Sequence, residues 1–152
     1  MMLARPFLLA VVASVSLAGC GESEDEAYRA AFKPVSAEIV TTGRGVEAAM
    51  TGAGTMKNDA EVAVAFARLA DVAARLAGSL VRIDPPDNVK KDHKSLIRGL
   101  RREAGALEAV SLAAIEGDAV AAKAATERAK LVSGEIRSPR KRISKRIGLE
   151  HG

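Results

Sequence analysis

The chain has 152 residues, a formal net charge of +4, one cysteine and a single Tyr with three Phe and no Trp. One cysteine excludes an intrachain disulfide framework, so a folded domain here must be held by packing alone. The scarcity of aromatic rings disfavours sites that stack sugars or nucleobases.

Met1 to Arg5 is a short basic start, and Pro6 to Leu17 is an apolar run of secretory length. That run is too short for a permanent membrane-spanning helix. It ends in Leu17-Ala18-Gly19-Cys20, where small residues meet the only cysteine. The stretch resembles the lipobox of bacterial lipoproteins. The resemblance implies cleavage of residues 1–19 and a diacylglyceryl thioether on Cys20, which would consume the thiol. It places the protein in the cell envelope, on the outer face of the cytoplasmic membrane or on an outer membrane where one exists. Residues 20–25 then form an acidic tether.

The hydrophobic period beyond the tether is helical throughout. A first helix over 24–50 carries the stripe Tyr28, Phe32, Val35, Ile39, Val46 and Met50, with a kink or restart expected at Pro34. Thr51 to Thr55 reads as a turn. In the second helix Asn58 and Glu61 resemble a capping box. Its stripe, Val62, Phe66, Leu69, Ala73, Leu76, Leu80 and Ile83, has the alternating four-three spacing of a left-handed bundle seam. Pro85-Pro86 ends it, because proline lacks a donor and restricts the residue before it. A third helix starts at Pro86 or Asp87 and runs to about Ile115 with Val89, His93, Leu96, Leu100, Ala104, Leu107 and Ala114 inward. Gly117 suits its C-terminal stop and Asp118 the next N-cap. A fourth helix over 118–137 shows a thin stripe of Val120, Ala124, Glu127 or Arg128, and Leu131, and Ser138-Pro139 is expected to break it. Short turns make neighbours antiparallel. The expected fold is all-α, an up-down-up-down four-helix bundle over 26–137 with a basic C-terminal segment over 138–152. The expected core includes Phe32, Ile39, Phe66, Leu69, Leu76, Leu80, Leu96, Leu100, Leu107 and Leu131.

The pattern Pro85-Pro86, six residues, His93, two residues, Leu96 resembles a feature of uncharacterised helical secreted lipoproteins of bacteria. Some of these show a turn like Gly117-Asp118 and end in a segment like Ile147-Gly148-Leu149. The resemblance covers about the last half of the chain. It implies a helical, exported, lipid-anchored protein and carries no activity. A cysteine often present near the end of such chains is replaced here by Glu150-His151-Gly152.

His93 occupies a stripe position where leucine would be expected. It is either a structural histidine, hydrogen-bonded and mainly neutral near Tyr28 or Phe32, or a metal or small-ligand group. Lys90 stands three residues before it, against the Glu-x-x-His spacing of bundle metal sites. The carboxylate pairs Glu103 with Glu108, and Asp92 with Glu103, read as solvated helix faces rather than a catalytic dyad. No Gly-x-Ser-x-Gly nucleophile motif follows the leader. These residues predict no catalytic group, no cofactor and no resident metal. The basic residues Lys90, Lys91, Lys94, Arg137, Arg140, Lys141, Arg142, Lys145 and Arg146 fall at the end of the bundle where the chain leaves Cys20. They suit contact with anionic headgroups, or a solvated tail. Without interleaved aromatics they do not suggest nucleic acid. The function expected is a lipid-anchored envelope scaffold or interaction module that engages the membrane and an unidentified envelope protein. The alternative is a ligand- or metal-binding envelope protein that uses His93.

Overall fold

The computed structural model describes residues 23–53, 56 and 58–149; the leader, Cys20 and the last three residues lie outside it. Four helices follow one another: α1 (Glu24–Gly52), α2 (Asp59–Val81), α3 (Lys90–Glu116) and α4 (Ala119–Arg146), with no strand among the described residues.

Each helix start has a local cause. Ser23 caps α1 in a reciprocal box: its hydroxyl accepts from the Glu26 N–H at 3.3 Å, and the Glu26 carboxylate accepts from the Ser23 N–H at 3.4 Å. Glu24, Asp25 and Glu26 also place negative charge on the positive end of the helix dipole. The acidic stretch taken as tether thus already opens the helix. Asn58 caps α2 by accepting from the Glu61 N–H at 2.9 Å. Asp118 caps α4, accepting from Val120 and Ala121 N–H. Gly117 closes α3 in the left-handed region at φ 68°, which costs glycine nothing. A turn over 86–89, in which the Pro86 carbonyl accepts from Val89 and Lys90 N–H, delays the start of α3 to Lys90.

The helices alternate in direction around two stacked apolar layers. Tyr28 and Phe32 of α1, Leu76 and Leu80 of α2, Val89 just before α3, Leu96 and Leu100 of α3, and Val132, Ile136 and Ile143 of α4 share one layer. It lies at the end where α1 begins and α4 finishes. The other layer holds Val46, Phe66, Leu107 and Val110 among alanines. Small side chains there let the helices approach closely. Burying each large apolar residue contributes roughly 1.5–3 kcal/mol. The bundle is not evenly closed. α3 packs extensively on both α2 and α4, α1 leans on α2, and α1 and α4 scarcely touch.

α1 runs through Pro34 as one helix rather than restarting there, within the expectation of a kink or a restart; Pro34 lies on the exposed face, where water can take the carbonyl that proline leaves unpaired. Two details of α4 differ from the expected pattern. α4 does not break at Ser138-Pro139 but runs to Arg146 with Pro139 buried inside it, so the basic segment from 138 is the end of that helix. The stripe of α4 is also shifted by one residue. Ala125, Ala129, Val132, Ile136 and Ile143 face inward, whereas Val120 and Leu131 are 81% and 74% exposed. Leu131 is therefore not a core residue. Leu69 is half-buried at the edge of the second layer.

Candidate functional site

His93 sits in the first layer, 2% exposed, and both of its ring nitrogens are engaged. Nε2 lies 3.0 Å from the Leu80 carbonyl oxygen, which can only accept, so Nε2 carries the proton. Nδ1 then accepts from the Tyr28 hydroxyl at 2.8 Å. The Tyr28 ring meets the imidazole edge-on and stacks on Phe32, with centroids 5.6 and 5.5 Å away. This neutral tautomer ties α1, α2 and α3 together at one point. Burial pushes the His93 pKa down, against smaller upward pulls from the Leu80 bond and the Asp84 charge. Burial likewise pushes the Tyr28 pKa far up, so the phenol keeps its proton and remains a donor. Tyr28 is a titratable partner from another helix, yet its hydroxyl serves His93. Among the described residues no three His, Cys, Asp or Glu side chains gather as a metal centre requires.

Two carboxylates read as solvated are in fact buried. Asp92, the neighbour of His93, receives Arg142 at 2.9 Å on one oxygen and Arg146 at 3.1 Å on the other. Arg146 also donates to the Asn88 carbonyl at 2.7 Å. Glu103, 3% exposed, accepts from the Ser133 hydroxyl at 2.7 Å. Its burial raises its pKa, and the Ser133 bond offsets part of that rise. Glu108 is exposed. Asp92 and Glu103 lie roughly 16 Å apart along α3 at 1.5 Å per residue, so they form no dyad.

The basic residues divide by helical position. Lys90, Lys91 and Lys94 are exposed at the start of α3, with Lys90 paired to Asp87 at 3.4 Å. Arg142 and Arg146, one turn apart, clamp Asp92. Arg137, Arg140, Lys141 and Lys145 turn instead to the gap between α1 and α4. Arg140 donates to the Ser36 hydroxyl there at 3.4 Å. α1 adds Arg29, Lys33 and Arg44 to the same gap. Sequence reading missed this groove because its α1 half is far from the basic tail in sequence. The cations of α1 could have been noticed at 29, 33 and 44, spaced to share one broad face.

No described helix is long and apolar enough to cross a membrane. Comparison with known protein families, curated proteins and solved structures finds no match.

Proposed function

We propose that this chain is a lipid-anchored cell-envelope protein whose helical bundle is a non-enzymatic scaffold or interaction module. Leu17-Ala18-Gly19-Cys20 is the observation that carries the reading. A lipid on Cys20 would hold α1 by its first turn, because Ser23 is already the helix cap. The end of the bundle that contains Lys90, Lys91, Lys94 and the basic end of α4 would then face the headgroups. Each basic residue near an anionic surface adds about 1 kcal/mol, screened over about 8–10 Å at ordinary salt. The acyl chains would supply most of the binding. Gly21, rather than Asp, after the cysteine suits either membrane. The module reading draws support from His93, whose ring is spent on Tyr28 and Leu80, and from the separation of Asp92 and Glu103.

Replacing Cys20 with Ser and fractionating cells tests the anchor: the protein should leave the membrane fraction or accumulate with its leader uncleaved. Unchanged processing and membrane retention would end the proposal. Elemental analysis and native mass spectrometry of the purified protein test the module reading, which a stoichiometric metal or cofactor would overturn.

A further inference from the structure

The gap between α1 and α4 has two stretches, about 590 Å³ towards the middle of the bundle and about 840 Å³ towards the start of α1. Both fall in the size range of small-molecule sites. They meet at Arg44 of α1 and Arg140 and Lys141 of α4, which line both. Beside this junction the inner stretch has an apolar floor that includes Ile39, Val46 and Ile136.

The three cations at the junction differ from the other arginines that bridge helices. Arg75 pairs with Glu38, Arg102 with Glu135, and Arg142 and Arg146 with Asp92. Among the described residues no carboxylate pairs with Arg44, Arg140 or Lys141. Among the described residues the carboxylates on the walls are Glu47, exposed, and Glu103, which accepts from Ser133. Arg140 is half-buried and has Ser36 as its hydrogen-bond partner, so most of its five donors are uncommitted. No fully buried side-chain polar atom lacks a partner among the described residues, so those donors reach the solvent in the groove. Burial and the nearby Arg137 charge both work against the Arg140 charge. A half-buried guanidinium among like charges is electrostatically costly, and an anion in the groove would relieve that cost.

We infer that the junction of Arg44, Arg140 and Lys141 binds a phosphate-bearing anion. Two arginine forks and an ammonium match the several acceptor oxygens of a phosphate better than the two of a carboxylate. Among the described residues no aromatic ring lines either stretch, so none there would stack a nucleobase. The apolar floor suits a ligand with a short apolar portion beside the phosphate. A lipid headgroup and a soluble phosphate ester share this chemistry. The inference rests on the groove alone and stands whether or not Cys20 carries a lipid.

The test is the melting temperature of the full chain in non-ionic detergent. Inorganic phosphate is compared with chloride at equal ionic strength, and micelles doped with phosphatidylglycerol with micelles doped with phosphatidylcholine. A saturable rise with inorganic phosphate identifies a soluble anion, and a rise confined to phosphatidylglycerol identifies the headgroup. Arg140→Gln should weaken either response about tenfold, the loss of one charge-assisted hydrogen bond. The exposed Arg44→Gln provides a second variant that does not disturb a half-buried group. Arg68→Gln with Arg101→Gln, both exposed and outside the groove and the surface around Lys90, should leave the response intact. No stabilisation by either ligand overturns the inference. So does a response that the Arg68/Arg101 pair weakens as much as the groove variants do.

Discussion

His93 joins Tyr28 to Leu80, and its replacement tests what that link is worth. In His93→Leu the Leu80 carbonyl keeps the Ile83 N–H at 3.0 Å, so the group left unpaired is the buried Tyr28 hydroxyl. That should cost about 1–3 kcal/mol. Tyr28→Phe keeps the stack on Phe32 but strands Nδ1, at a similar cost. The double variant should lose clearly less than the sum, with a coupling of about 0.5–3 kcal/mol in urea melts. Strict additivity would show that the bond contributes nothing. Stability should also depend on pH through two groups. The His93 pKa is lower folded than unfolded, so its contribution is complete above the ordinary value near 6.5 and is lost as pH falls towards the folded value. The Glu103 pKa is higher folded than unfolded, so its contribution is present below about 4.5 and is lost as pH rises through the folded value. Glu103→Gln, which can still accept from Ser133, should therefore match the parent at pH 4 and exceed it in stability at pH 7. A variant less stable than the parent at pH 7 would contradict the assignment of an unfavourable buried charge.

At the scale of the helix, legibility followed contrast. The seam of α2 was readable because large side chains alternate with charge and two prolines mark the end. The first half of α4 offers alanine on every side, so Val120 and Leu131 dominated the phase, although both are exposed. The decisive signal was further on: Val132, Ile136, Ile143 and Ile147 keep a bundle spacing straight through Pro139. A proline costs a helix one hydrogen bond and some bending, but it does not stop a helix whose apolar face is packed on both sides of it. Two glycines make the packing of α3 on α4 testable. A Cβ on Gly99 would come within 2.9 Å of Ile136 Cγ1. Overpacking of about 1–3 kcal/mol should outweigh the roughly 1 kcal/mol of helix propensity gained, so Gly99→Ala should destabilise. Gly134 has nothing within 4 Å of the same position. Gly134→Ala should stabilise by roughly 0.5–1 kcal/mol. Denaturation midpoints moving the same way in both variants would refute the packing account.

Over the whole molecule, the bundle follows from helical period and short turns, and both are local properties. The candidate sites are less local. His93 stood out because an imidazole in an apolar stripe is conspicuous, and the height of Tyr28 on α1 follows from helix length. The burial of Asp92 and Glu103 could not be read, since a carboxylate four or seven residues from a leucine looks like any boundary position until the partner arrives from α4. The α1–α4 groove exists because two helices fail to meet, and no single segment encodes that. The cations of residues 137–146 were visible, but their division between an Asp92 clamp and an open groove depends on where α1 lies.

The loose seating of α1 bears on how the molecule opens. α1 rests mainly on α2, and its one buried polar link to α3 is the Tyr28–His93 bond. Subglobal opening should therefore release α1 as a unit while α2, α3 and α4 stay together. In native-state hydrogen exchange, α1 amides should exchange with a common opening free energy below the global value reached in α3. Tyr28→Phe should lower that plateau in α1 without accelerating exchange in the middle of α3. A single free energy shared by all four helices would mean that the bundle opens only as a whole.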